Sequence, residues 1–187
     1  MLYCIENQFD EPIKSYHRDL VEKVASEFPK LTWTKGQRLA AHFTLKYKFE
    51  TERISELEEK IEDFVRTHRP SPVRVGGFDS FDDETVFIKV DASPEARKVF
   101  EEFIDALKSL SWMQWRRFDG KDLHFHMSIA EKCNGTAPQA LRFLSGKERS
   151  FDAYFDNASI LRSAEKTPEG MELWELYRRY DMPNAGK

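Results

Sequence analysis

Ala41-His42-Phe43-Thr44-Leu45-Lys46-Tyr47 and Leu123-His124-Phe125-His126-Met127-Ser128-Ile129 decide how this chain is read. Side chains of a β-strand alternate between its two faces. Read as a strand over about 40–49, the first stretch places His42, Thr44 and Lys46 in front of Ala41, Phe43, Leu45 and Tyr47. Read as a strand over about 122–130, the second places His124, His126 and Ser128 in front of Leu123, Phe125, Met127 and Ile129. Each strand is apolar behind. In front, each carries an imidazole followed two residues later by a hydroxyl.

Outward from these strands, the pattern alternates helices with strands. Residues 2–7 read as a strand. Asp10 and Pro12 open a helix whose apolar positions run Ile13, Tyr16, Leu20, Val21, Val24 and Phe28, and Pro29 closes it. Residues 30–39 read as a loop. Thr51 starts a second helix, striped by Ile54, Leu57, Ile61, Phe64 and Val65 and ended at Arg69-Pro70. Strands near Val73–Phe78 and Thr85–Val90 flank a polar hairpin loop. Ser93-Pro94 is a cap followed by a helix-starting proline, and Thr136 caps a short helix stopped by Gly146. Two strands near Ser150–Arg162 and Met171–Tyr180 finish the chain, with Pro168-Glu169-Gly170 as the turn between them.

Set side by side, the halves repeat. His42 and His126 are 84 residues apart, and the helix starts Pro12 and Pro94 are 82 apart. An internal duplication accounts for both spacings. Duplicated halves packed about a pseudo-two-fold axis bring equivalent residues face to face, which gives two distant histidines a reason to meet. The expectation is an α+β chain of two mostly antiparallel sheets with helices outside and a central cleft. It forms one domain over 1–187, with lobes built from the repeats 12–90 and 94–180.

Composition narrows the class. With 187 residues, 40% hydrophobic, 33% charged and 15 phenylalanines, the chain reads as an ordinary globular protein with an aromatic core. No apolar run is long enough for a bilayer, and Glu6 interrupts the start of the chain, against a signal peptide. Cys4 and Cys133 are read as reduced thiols, and the expected location is cytoplasmic. A net charge of −4 argues against a surface coated in nucleic acid. Local basic clusters nevertheless lie beside both histidines: Lys30, Lys35, Arg38, Lys46 and Lys48 near the first, Arg116, Arg117 and Lys121 near the second. They suit a local anion site.

Two facing imidazoles are suited to paired proton transfer, one neutral and accepting, the other charged and donating. Thr44 and Ser128 are placed to donate hydrogen bonds to an oxyanion, with Lys46 adding charge. A phosphodiester fits this set: it is anionic and tetrahedral, and its cleavage needs a base for the entering oxygen and an acid for the leaving one.

The tetrapeptides His42-Phe43-Thr44-Leu45 and His126-Met127-Ser128-Ile129 resemble the paired His-x-Thr/Ser-x signature of the 2H phosphoesterase superfamily, the 2′-5′ RNA ligase-like (RNA 2′,3′-cyclic phosphodiesterase) proteins. The resemblance extends to the order of elements over nearly the whole chain. It implies the bilobal 2H fold and metal-independent hydrolysis of a 2′,3′-cyclic phosphate or 2′-5′ phosphodiester of an RNA end or small cyclic nucleotide. It implies no cofactor, possible reverse ligation, His42 and His126 as catalytic residues, and Thr44 and Ser128 as phosphate ligands. A monomer without membrane contact is expected.

Other residues carry weaker signals. Lys46, Arg116, Arg117, Phe118 and His124 are candidate substrate contacts, and Trp33, Trp112 and Trp115 candidate stacking surfaces. His17, beside Tyr16, reads as a surface position on the first helix, and His68 as a residue at the C-terminal end of the second. Two alternatives follow from the residues. His42, His124 and His126 together have the composition of a zinc hydrolase site, and a binding protein can keep this fold without the reaction.

Overall fold

The two motif strands form the outer edges of two separate sheets. The computed structural model describes residues 1–37, 39–168 and 170–183, with the backbone alone at Ala164. Arg38 of the first basic cluster and Glu169 of the expected turn lie outside the described residues. Along the chain run β1 (Leu2–Gln8), α1 (Ile13–Glu27), α2 (Trp33–Gln37), β2 (His42–Glu50), α3 (Ile54–Thr67), β3 (Ser71–Phe81), β4 (Thr85–Ala92), α4 (Pro94–Lys108), β5 (His126–Glu131), α5 (Ala137–Leu144), β6 (Ser150–Phe155), β7 (Asn157–Lys166) and β8 (Glu172–Asp181). One sheet has the order β2-β1-β7-β8 and the other β5-β4-β3-β6, with every neighbouring pair antiparallel. The α+β, two-sheet architecture expected from the sequence is the one observed.

The unit that repeats is strand-helix-strand-helix. β1, α1, β2 and α3 correspond to β4, α4, β5 and α5. The sheets do not coincide with the halves, and this corrects the expected lobes. Divided between β4 and α4, as the expected lobes 12–90 and 94–180 are, the chain puts two strands from each side into each sheet.

The exchange happens at Asp156. What reads as a single strand over Ser150–Arg162 is two strands, β6 in one sheet and β7 in the other. A pair of fully buried asparagines fixes the switch. Asn7 Oδ1 accepts from the backbone N–H groups of Asp156 and Asn157, at 3.0 and 3.2 Å. Asn157 in turn accepts from the Gln8 N–H and donates to the Gln8 carbonyl, at 3.0 and 2.8 Å. Backbone groups leaving one sheet thus find partners before joining the next, as buried polar groups require.

The helices form where the apolar spacing places them. In α4, Ser93 Oγ accepts from the Ala96 N–H at 3.1 Å, and Phe100, Phe103, Ile104 and Leu107 are wholly buried. Fully burying such a side chain contributes about 1.5–3 kcal/mol, so this face alone anchors the helix. One hydrophobic cluster runs through both sheets. At the junction, the Phe43 and Phe125 rings stack with centroids 4.4 Å apart and hold β2 beside the start of β5. The stretch expected as a loop over 30–39 contains α2. Among the described residues, no helix is long and apolar enough to cross a membrane.

Candidate active site

His42 opens β2 and His126 opens β5, each the edge strand of its sheet. The two share a local geometry. His42 Nδ1–H donates to the carbonyl of Ala40, and His126 Nδ1–H donates to the carbonyl of His124, both at 2.8 Å. A carbonyl only accepts, so each bond places a proton on Nδ1 and leaves Nε2 as the nitrogen able to exchange one.

Both strands also carry an extra residue at the same place. Glu6 pairs with Thr44 and Ile5 with Lys46, so Leu45 has no counterpart across the ladder. Phe87 pairs with Ser128 and Val86 with Ala130, which leaves Ile129 without one. A β-bulge immediately after the hydroxyl turns the following residue to the opposite face. It overturns the expected position of Lys46. Instead of sharing a face with His42 and Thr44, Lys46 lies opposite Ile5, wholly buried. Its Nζ is 2.8 Å from Asp119 Oδ2 and donates to the Tyr47 carbonyl at 3.1 Å. It is a structural cation. Thr44 and Ser128 stay in front, half-buried, beyond their histidines.

The histidines differ in surroundings. His42 Nε2 lies 3.3 Å from Oε1 of the buried Glu6. His126 meets the edges of Phe81 and Phe87, with centroids at 4.8 and 5.3 Å. Burial pulls the His126 imidazole down to about 4, with the neighbouring charge of His42 acting in the same direction. His126 is therefore neutral at ordinary pH, and the two imidazoles are within electrostatic reach of each other.

A third imidazole joins them. His17, read from the sequence as an ordinary surface position on α1, is buried. Its Nε2–H donates to the carbonyl of Ser128 at 2.8 Å and ties α1 to β5. Burial holds it neutral, at about 4. His17 also lines a cavity of about 460 Å³ beside the start of β2, together with Lys14, Arg18, Thr34, Lys35 and Ala41. The signal available in the sequence was the position of His17 beside Tyr16, on the buried stripe of the helix.

The sequence carries the family pattern across most of this frame. The model of the 2′-5′ RNA ligase superfamily matches residues 9–167. The chain belongs to the 2′-5′ RNA ligase superfamily. This is a branch of the 2H phosphoesterases, a family of phosphoesterases and ligases. No curated protein gives a significant match. Among solved structures, TT0787 of Thermus thermophilus is similar over 100% of both chains, with a TM-score of 0.65 at 16% identity. A crystal structure described as a phosphoesterase is similar over 96% of this chain and 97% of its own, with a TM-score of 0.61 at 11% identity. E. coli LigT is similar over 96% of both chains, with a TM-score of 0.53 at 12% identity. At such identities the likeness is one of fold.

In this member of the superfamily the remaining candidates are dispersed. Arg116, Arg117 and Phe118 lie on an exposed loop between α4 and β5, with the Arg117 guanidinium 5.6 Å from the Phe118 ring. Asp119 holds that loop against β2 by accepting from the backbone N–H groups of Tyr47 and Arg116. His124 is exposed, edge-on to Phe81 at 5.4 Å. Among the described residues, no group of three His, Cys, Asp or Glu side chains is placed to hold a metal ion. His42, His124 and His126 do not assemble into the zinc set considered from the sequence. Trp112 donates to Glu56 at 3.2 Å, and Trp33 lies under Lys132 Nζ. His68 is structural: its Nδ1–H donates to the Phe64 carbonyl at 2.7 Å, and its Nε2 lies 2.9 Å from Glu102 Oε2. Cys4 and Cys133 are both free and buried.

Proposed function

We propose that this protein is a metal-independent phosphodiesterase. It opens a 2′,3′-cyclic phosphate or cleaves a 2′-5′ phosphodiester, on an RNA end or a small nucleotide, by acid–base catalysis with His42 and His126. The supporting observation is the matched pair of imidazoles, each locked through Nδ1 so that Nε2 is available for proton transfer. One takes a proton from the attacking water, and the other gives one to the departing ribose oxygen. Thr44 and Ser128 donate hydrogen bonds to the non-bridging phosphate oxygens, whose charge grows in the transition state. The cavity lined by Lys14, Arg18 and Lys35 receives the rest of an anionic substrate.

A nucleotide substrate agrees with the company the fold keeps. E. coli LigT, similar in fold, has been crystallised with NADP+ and with 3′-AMP. Family membership supports the reaction class, and the two imidazoles support its chemistry.

The test is an assay of the purified protein on 2′,3′-cyclic nucleotides, 2′-5′ dinucleotides and cyclic ADP-ribose phosphate. Turnover is expected on at least one class, and H42A and H126A should each reduce it by about 10²–10⁴-fold while binding largely survives. Binding without turnover in the parent would leave a binding module and end the enzymatic reading. Full activity lost to a chelator would do the same for the metal-independent mechanism.

A further inference from the structure

One face of α1 forms a wall of the cavity beside the start of β2. Lys14, Arg18 and Glu22 follow one another there at four-residue spacing, with His17 alongside. Thr34 and Lys35 of α2 line the same space. The cavity adjoins both motifs. Ala40 and Ala41 lead directly into His42, and the Ala40 carbonyl takes the Nδ1–H of that histidine. His17 reaches the second motif through its bond to the Ser128 carbonyl.

The walls are cationic in an acidic chain. Lys14, Arg18 and Lys35 outnumber Glu22, which pairs with Lys35, leaving a surplus of two positive charges where the whole chain carries −4. Lys14 and Arg18 are exposed and four residues apart, a like-charge spacing that weakens a helix unless an anion lies between them. Thr34 supplies the second observation. It is 4% exposed, and its Oγ1 is closed off from water with no hydrogen-bond partner among the described residues. The usual outlet for a helix threonine, a carbonyl one turn earlier, is not used. A buried hydroxyl in that state is costly. A ligand oxygen in the cavity would relieve it.

We propose that this cavity is a second anion subsite that takes a terminal phosphate monoester, so that the preferred substrate is a small nucleotide with a free phosphate away from the bond being cleaved. This rests on the phosphodiesterase reading above and deepens it. Charge decides between the forms of phosphate. A monoester brings about two negative charges at neutral pH, which matches the surplus on the walls; a bridging diester brings one. The outer oxygens of the monoester are shared among Lys14, Arg18 and the Thr34 hydroxyl. Exposed cations alone are screened by salt and hold an anion loosely. The buried hydroxyl adds a fixed donor that gives the phosphate one place to sit. No bond is made or broken in this cavity, and the reacting phosphate stays with the two motif strands.

The test compares three substrates: uridine 2′,3′-cyclic phosphate, its 5′-phosphorylated form, and a diuridylate ending in the same cyclic phosphate. The 5′-phosphorylated form should be preferred over the first by about 10–100-fold in kcat/KM, mainly through KM. The diuridylate, whose second phosphate is a diester, should gain less than about 3-fold. R18A and T34V should each cut the preference by about 10-fold, and T34S, which keeps the hydroxyl, should retain it. The preference should also shrink as salt rises from about 0.05 to 0.5 M. A variant that loses activity equally on both mononucleotides keeps the ratio; that result from R18A and T34V would make their role structural and overturn the proposal. So would an equal or larger gain for the diuridylate. Titration calorimetry gives a measure that needs no turnover. Uridine 3′,5′-bisphosphate should bind at least about 10-fold more tightly than uridine 3′-monophosphate, and equal affinities would also overturn the proposal. A parent without turnover on any substrate would remove the phosphodiesterase reading, and the two affinities would still decide the cavity.

Discussion

Lys46 Nζ meets Asp119 Oδ2 at 2.8 Å with both side chains closed off from solvent. The ion pair joins β2 to the loop that leads into β5. Asp119 makes two further bonds, accepting from the Tyr47 and Arg116 N–H groups. Removing one partner of a buried pair leaves an uncompensated charge and costs about 3–5 kcal/mol. K46M and D119A should both lower the unfolding midpoint in urea. D119A should lower it more, because two backbone donors also lose their acceptor. K46M that still folds should bind phosphate-bearing substrates as the parent does; a large rise in KM would return Lys46 to the site.

The hydroxyls should matter less than the imidazoles. Loss of a hydrogen bond to a charged oxygen costs about 1.5–3 kcal/mol, roughly 10- to 150-fold in kcat/KM. T44A and S128A should each fall in this range and keep the parent's pH profile. A loss equal to that of H126A would assign the hydroxyl a role in proton transfer.

With His126 as the base of the proposed reaction, its titration sets the acid side of the rate profile. Burial places its titration at about 4, and a general base works only in the neutral form. The value of kcat/KM should climb as pH rises through about 4 and then level off. It should fall again at higher pH, giving the bell shape that an acid and a base acting together produce. A continuous rise through neutrality would be the signature of a metal-bound hydroxide.

His17 should weaken the fold in acid, alongside His126, which burial holds at the same value. His17 is held neutral down to about 4 in the folded protein, against 6.5 when unfolded. Between those values the unfolded chain binds more protons, so stability is full above pH 6.5 and declines as pH falls toward 4. The loss at pH 4 is about 3 kcal/mol for this group alone. Urea titrations of H17N across pH 4–7 should show a shallower decline than the parent; parallel curves would remove His17 as the cause.

The legible part of this protein lay in its periodicities. Alternation around His42 and His126 identified the motif strands, and Ser93-Pro94 opened a helix at the expected place. Two-residue alternation presumes an unbroken ladder, so it put Lys46 in front, where the bulge at Leu45 moves it to the back. Alternation was equally blind to the change of sheet at Asp156. That change depends on a side-chain bond between Asn7 and residues about 150 positions away. Glu6 carried no sequence signal as a partner of His42, because its proximity comes from the register between β1 and β2. His17 was misplaced because one position in a helix stripe does not reveal what packs against it.

The asparagine clasp has a mechanical corollary. Since strands of either half are woven into both sheets, the chain cannot be cut near residue 92 into two self-sufficient pieces. Each fragment would carry half of two sheets, with unpaired backbone along both.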